Sequence, residues 1–431
     1  MTPVIIGFGG LAIMFAFIVF GMPIGFAMGL VGFTGFALLI SFDAAIVRIG
    51  VTAYSLATNH AIGTIPLFLF MAHLLFASGI GRDLYDFAAK WLGRRRGGLA
   101  MATIGASAGF ASVSASSLAT TATMGLVALP EMRRHNYDLR LASGSVVAGG
   151  TIGSLIPPSG MFIIYGILTE TSIGKMFAAG VIPGILLALF YIVTISIWCR
   201  INPDIGPRGP KYTWMEKLRS FASTGEVVVL FALVMGGIVL GWFTPTEAGA
   251  IGAFGAIIVS VARRRLTWEA AKTAIYATLK TTGMIFGILF GAMVFNSFVT
   301  ASTIPLHIVN FVTESGFSPM AILLLILAVY FFLGMVLDAS AMMTLTIPLF
   351  FPLITTLGFD AILFGVLVVR MTEIALITPP VGMNVYVLSG VAKDVPLSTI
   401  FKGALPFVVA DVLHVAILIA FPILVLWLPN L

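Results

Sequence analysis

Gly153-Ser154-Leu155-Ile156-Pro157-Pro158-Ser159-Gly160-Met161 lies in the middle of a long apolar run. Each proline removes a backbone donor and clashes with the preceding turn, so two in succession break a helix. Freed carbonyls are costly in hydrocarbon. A break at membrane depth survives only where protein or a watery cavity satisfies them. The break recurs 222 residues later as Ala375-Leu376-Ile377-Thr378-Pro379-Pro380-Val381-Gly382-Met383. Paired interruptions in the two halves of a membrane protein point to a transporter binding site.

The surrounding chain has the composition of a polytopic membrane protein. Of 431 residues, 59% are hydrophobic and 9% charged, against about 25% charged in a soluble domain. The net charge of +6 sits in short loops between apolar runs, which fits the positive-inside rule and excludes a nucleic-acid partner. A single cysteine, Cys199, rules out an internal disulfide framework. The apolar N-terminus lacks a basic flank and a cleavage site, so it reads as a membrane helix.

Charge also sets the path. Arg94-Arg95-Arg96 and Arg133-Arg134 flank the apolar stretch 97–130. Both basic loops belong in the cytoplasm, and the stretch is long for one span of about 20 residues. It therefore reads as a re-entrant hairpin with its small, polar tip near 112–117. The first repeat is expected over 1–205, with scaffold helices in 3–80, hairpin 97–130, broken helix 141–169 and helix 176–199. A cytoplasmic linker, 206–225, leads to the second repeat over 226–431. There we expect helices in 226–297, including an amphipathic 268–280 and a span 281–297. A hairpin 319–356 with its tip near Gly334–Ser340, a broken helix 361–391 and a closing helix 403–428 follow. Pro23 and Pro245, Pro130 and Pro352, Asp138 and Asp360, and Gly160 and Gly382 keep the 222-residue register. An odd number of crossings per half inverts the second copy, as in secondary transporters.

Several motifs resemble the large membrane subunit of TRAP (tripartite ATP-independent periplasmic) transporters. They are Ala119-Thr120-Thr121-Ala122-Thr123-Met124-Gly125, Ala148-Gly149-Gly150-Thr151-Ile152-Gly153, Phe243-Thr244-Pro245-Thr246-Glu247-Ala248, Gly334-Met335-Val336-Leu337-Asp338, Leu376-Ile377-Thr378-Pro379-Pro380-Val381-Gly382 and Gly390-Val391-Ala392-Lys393-Asp394-Val395-Pro396. Two stretches depart from the pattern. Ser114-Ala115-Ser116-Ser117 lacks a glycine before the serine pair, and Gly160-Met161 stands where bulky aliphatics are usual. The resemblance implies sodium-driven uptake of an organic anion (dicarboxylate, sugar acid or sialic acid) across the bacterial inner membrane. It implies an all-α, elevator-type fold whose moving part holds both hairpins and both broken helices. It also implies two partners, a small four-helix membrane subunit and a soluble periplasmic substrate-binding protein.

The symmetry and the resemblance together suggest two sodium sites, with Na+ as a co-transported ion. The first would use Ser112 and Ser114 with the carbonyls of Gly153, Ile156 and Pro158; the second would use Gly334, Ala375, Thr378 and Val381. For any single serine, close helix packing is an equal alternative. Substrate is expected between the hairpin tips, where half-helix N-termini favour an anion, with Ser116, Ser117, Ser340 and Asn384 as hydrogen-bonding candidates. Arg370, a charge inside an apolar helix, either meets the substrate or pairs with Glu373 one turn on. Asp338 either caps the returning half-helix or helps to hold sodium. Glu247 fits a capping box with Thr244. His60, His73, His135, His307 and His414 lack metal-ligand spacing, and no nucleotide-binding loop is present.

Two alternatives stand beside this reading. A proton-coupled anion carrier without a binding protein is disfavoured by the near absence of buried carboxylates and histidines. An intramembrane serine hydrolase would need a positioned base, for which no partner motif is recognisable.

Overall fold

The structure, a computed structural model, describes residues 2–114, 116–314 and 316–431. Among them there are helices and no strands. In the first half, α1 (Pro3–Val19), α2 (Ile24–Leu39), α3 (Phe42–Thr58) and α4 (Thr64–Ala77) precede α5 (Ile80–Leu92). Next come α6 (Gly98–Ser114), α7 (Ser117–Arg134), α8 (Leu139–Thr151), α9 (Gly160–Thr169) and α10 (Ile173–Ile201). The second half contains α11 (Trp214–Val239), α12 (Pro245–Ala262), α13 (Trp268–Ala301), α14 (Ile304–Glu314) and α15 (Pro319–Gly334). It closes with α16 (Ala339–Thr356), α17 (Ala361–Ala375), α18 (Met383–Val391), α19 (Leu397–Ala420) and the short α20 (Ile423–Leu426). Six helical stretches among the described residues are long and apolar enough to cross a membrane, and the protein is a multi-pass membrane protein.

Local chemistry explains many of the helix starts. Asp138 accepts from the Arg140 N–H at 2.7 Å, and Asp360 accepts from Ile362 at 2.7 Å and Leu363 at 3.1 Å. These carboxylates satisfy otherwise orphaned donors at the starts of α8 and α17. Thr244 and Glu247 form the expected capping box of α12: the Thr244 N–H donates to Glu247 at 2.8 Å and the Glu247 N–H donates to the Thr244 hydroxyl at 3.3 Å.

Several boundaries differ from expectation. The stretch expected as amphipathic 268–280 and spanning 281–297 is one helix, α13, with no break between them. No proline or cap interrupts it at Lys280, and its 34 residues extend about 51 Å. Residues 214–225, expected as linker, form the first turns of α11, opened by a capping box of Thr213 and Glu216. Helix α5 was not foreseen. It buries Ile80, Leu84, Tyr85, Ala88 and Ala89 along one face, a periodic stripe that its charged residues obscure. Helix α7 continues through Pro130 to Arg134.

Both hairpins are antiparallel. Leu99 at the start of α6 donates its N–H to the Tyr137 hydroxyl just beyond α7, and Thr346 on α16 donates to Tyr330 on α15 at 2.7 Å. Helix α16 begins and ends 222 residues after α7, and α17 begins 222 residues after α8. The halves also exchange contacts reciprocally. Helix α2 packs on α13 while α12 packs on α4; α7 packs on α18 while α16 packs on α9.

Close backbone approach holds α8 to α19. A Cβ at Gly144 would overlap the Gly403 carbonyl, and one at Gly403 would overlap the Arg140 carbonyl. Replacing Gly144 by Val should therefore cost at least ~1–3 kcal/mol of overpacking and lower the thermal midpoint of the detergent-solubilised protein. Gly236→Ala, at a site with nothing within 4 Å, should leave that midpoint essentially unchanged.

Candidate functional site

Helix α8 ends at Thr151 and passes through a 3₁₀ turn at Ile152–Ser154. The Pro157–Pro158 bond is cis, and Ser159 restarts the chain as α9 by accepting from the Phe162 N–H at 3.4 Å. The second break has the same plan. Helix α17 ends at Ala375, the Pro379–Pro380 bond is cis, and Gly382, at φ 63°, precedes α18.

At the first break, Ser114 Oγ lies 2.7 Å from Thr120 Oγ1 and 3.3 Å from the Ser116 carbonyl. A Cβ at Gly153 would lie 3.2 Å from Thr120 Oγ1 and 3.4 Å from that same carbonyl. Ser114, Thr120, Gly153 and the Ser116 carbonyl thus form one oxygen-rich cluster. Residues i and i+2 of a helix do not share a face, so Ser112 points elsewhere. It donates to the Gly109 carbonyl at 2.6 Å and lines a separate apolar cavity with Ile156 and Pro157. Pro158 is buried. Thr120 was not singled out as a ligand, although it lies one helical turn from the quoted tip serines. Ala115, within the quoted Ser114-Ala115-Ser116-Ser117 stretch, lies outside the described residues.

At the second break, a Cβ on Gly334 would come within 2.7 Å of Ala375 Cβ, so these two positions meet. Thr378 donates its hydroxyl to the Ile374 carbonyl at 2.7 Å, and Val381 is partly exposed. Thr120 corresponds in register to Met342, whose sulfur would lie 3.4 Å from a Cβ on Gly334. The two breaks share a backbone plan but not a donor set.

Both tips border one cavity of about 170 Å³. Ser116, Ser117, Asp338 and Ser340 line it, together with Ser154 and Glu373. Ser117, Gly160, Ala339 and Met383 are the first residues of α7, α9, α16 and α18, and all four line the cavity. Four helix N-termini therefore converge there, each carrying partial positive charge and free N–H groups. Ile65, Phe68 and Leu69 of α4 and Thr281, Met284 and Ile285 of α13 complete the lining. Asp338 caps α16 by accepting from Ser340 at 2.9 Å and Ala341 at 3.3 Å.

Three sequence-based expectations need correction. Arg370 neither lines the cavity nor bonds to Glu373. It is fully buried and donates to Asp411 at 2.5 Å, the Tyr191 hydroxyl at 3.2 Å and the Thr151 carbonyl at 3.4 Å. Asp411 belongs to α19 and supplies a buried counter-charge from outside the local sequence. Asn384 is buried but does not line the cavity; its neighbour Met383 does. Buried ionisable groups are not nearly absent, since Glu373, Asp411 and His414 are all enclosed. Glu373 has one carboxylate oxygen without a hydrogen-bond partner, and the Ser117 and Ser154 hydroxyls lie beside it.

The Arg370–Asp411 pair joins α17 to α19, while Tyr191 of α10 and Thr151 of α8 complete the network. Removing one partner leaves an uncompensated buried charge, which costs about 3–5 kcal/mol. Asp411→Leu or Arg370→Met alone should sharply lower the thermal midpoint in detergent. The double substitution should lose much less than the sum of the two.

Comparison with known proteins shows the family. The family model for "Tripartite ATP-independent periplasmic transporter, DctM component" matches residues 11–424. The "C4-dicarboxylate TRAP transporter large permease protein DctM" of Pseudomonas aeruginosa is 36% identical over 93% of this chain and 93% of its own length. The "Sialic acid TRAP transporter large permease protein SiaM" of Vibrio cholerae is 31% identical over 98% and 97%. The "2,3-diketo-L-gulonate TRAP transporter large permease protein YiaN" of Escherichia coli is 32% identical over 93% and 92%. These relatives are permeases, not enzymes. Among solved structures, the Alcanivorax borkumensis YdaH transporter shares the fold, with a TM-score of 0.65 over 89% of this chain and 90% of that one at 13% identity. The chain therefore belongs to the DctM family, the large permease subunits of tripartite ATP-independent periplasmic transporters.

Proposed function

We propose that this subunit carries a small organic anion inward across the bacterial inner membrane, coupled to sodium and by an elevator movement. The convergence of four helix N-termini on a cavity shared by both hairpin tips carries this reading. An anion there meets N–H groups and dipole ends without needing a buried lysine or arginine. The compounds named for its relatives, C4-dicarboxylate, sialic acid and 2,3-diketo-L-gulonate, share a carboxylate. The two hairpins enter the bilayer from opposite sides and leave by the side they entered, and the second half is an inverted copy of the first. The hairpins and broken helices move together against a scaffold that includes α4 and α13.

Sodium is assigned to the two breaks. The Ser114, Thr120 and Gly153 cluster offers the hard oxygen ligands that the ion requires, and Gly334, Ala375, Thr378 and Val381 are the corresponding backbone set. A soluble periplasmic binding protein delivers the anion, and a small four-helix membrane subunit completes the complex. Proton coupling is a second reading, favoured by the unpaired carboxylate oxygen of Glu373 at the cavity.

Uptake into proteoliposomes holding both membrane subunits, supplied with the loaded binding protein, tests the proposal. Accumulation should require an inward sodium gradient. Thr120→Val should raise the sodium concentration for half-maximal uptake roughly tenfold, equivalent to about 1.4 kcal/mol. Undiminished uptake driven by a pH gradient in sodium-free buffer would overturn sodium coupling in favour of protons.

A further inference from the structure

Another cavity, of about 660 Å³, is lined by Trp91, Arg94, Arg95, Arg96, Met101, Ser196, Arg200, Arg208 and Lys217. It gathers six cationic side chains, and no aspartate or glutamate lines it. Among the described residues, none of the six takes part in an ion pair. The positive-inside rule accounts for basic loops, but not for their convergence on one concave surface.

The backbone enforces that convergence. The Gly97 N–H donates to the Gly206 carbonyl at 2.8 Å, and the Gly209 N–H donates to the Gly93 carbonyl at 2.9 Å. Between these bonds, Arg96 and Arg208 form an antiparallel bridge, so the backbones of two arginines are held side by side. Lys217 sits 5.7 Å from the Trp91 ring centre and 5.9 Å from that of Trp214, which holds its ammonium in place. The Trp91 indole N–H is enclosed and has no acceptor. Six cations and a spare donor form a site for an anion rich in oxygen, of the phosphate type.

The neighbouring surface identifies the source of that phosphate. Ser196 and Arg200 lie near the end of α10, a candidate membrane span. Ile185, Leu189, Val193, Ile197 and Ile201 repeat every four residues on the same helix, and each is more than half exposed. The stripe shares the last turns of α10 with Ser196 and Arg200 of the cavity lining, and Trp91 in that lining suits the water–lipid boundary. We propose that the cavity binds the headgroup of an anionic phospholipid, whose acyl chains lie along the α10 stripe. Its charge suits a lipid with two phosphates, such as cardiolipin. Arg94, Arg95 and Arg96 lie on the connection from α5 to α6, and Arg208 lies on that from α10 to α11. One headgroup thus spans both chain crossings at this end of the molecule.

Lipid titration of the full-length, detergent-solubilised protein tests this by native mass spectrometry and thermal midpoint. Cardiolipin should bind and raise the midpoint, phosphatidylglycerol should do so more weakly, and phosphatidylethanolamine should have no effect. The combination Arg95→Gln, Arg96→Gln and Arg200→Gln should weaken cardiolipin binding roughly a hundredfold, about fivefold per cation. Lys272→Gln with Lys280→Gln, exposed cations outside the cavity, should not. If the triple variant cannot be recovered, Arg200→Gln and Arg208→Gln alone should each weaken binding about fivefold. Equal cardiolipin binding by wild type and these variants would overturn the proposal. So would an equal loss in the Lys272/Lys280 control, or an equal rise in midpoint with inorganic phosphate alone.

Discussion

A broken helix in a membrane must find new partners for the carbonyls and N–H groups that its own next turn no longer serves. Most of the arrangement around Pro157–Pro158 and Pro379–Pro380 answers this demand. The Thr151 carbonyl, at the end of α8, accepts from Arg370 of the other half and from the Ser154 hydroxyl. The chain restarts at Ser159, whose side chain accepts from the Phe162 N–H in the first turn of α9. Gly180 of α10 has no side chain where the Leu155 carbonyl approaches. Of the four helix starts at the cavity, those of α7, α9 and α16 carry side-chain caps, while α18 has none.

Electrostatics there are finely balanced. Four N-termini favour negative charge, yet Asp338 and Glu373 already occupy the lining. Asp338 is engaged by the N–H groups of its own helix. Glu373 lies one turn from Arg370 on α17, but the guanidinium is committed to Asp411. Glu373 keeps one unpartnered carboxylate oxygen at the cavity, and neutralising it would remove a repulsion between like charges there.

What could be read from the sequence followed from local physics. Proline pairs, capping aspartates and hydrophobic run lengths act through the backbone near them. The two breaks, the α12 capping box and both hairpin turns near Ser116 and Asp338 were therefore legible. The partner of Arg370 was not, because Asp411 lies 41 residues away on another helix and nothing local marks it. Nor was the continuity of α13, where a change from amphipathic to apolar composition resembles a boundary although no residue there ends a helix. The unequal donor sets at the two breaks were hidden by the register itself: equal spacing places Met342 opposite Thr120 but does not make them chemically alike.

The reciprocal packing of the halves also matters for biogenesis. Helix α7 rests on α18 and α16 rests on α9, so neither repeat contains its own complete interior. The first tip helix leaves the ribosome roughly 250 residues ahead of the helix it packs against, tens of seconds at a translation rate of about 5–20 residues per second. Through that interval α7 is covered by α6 and α8, but the face that meets α18 has no native partner. Truncation before α18 would therefore leave the α7 face of the first hairpin without its closing surface.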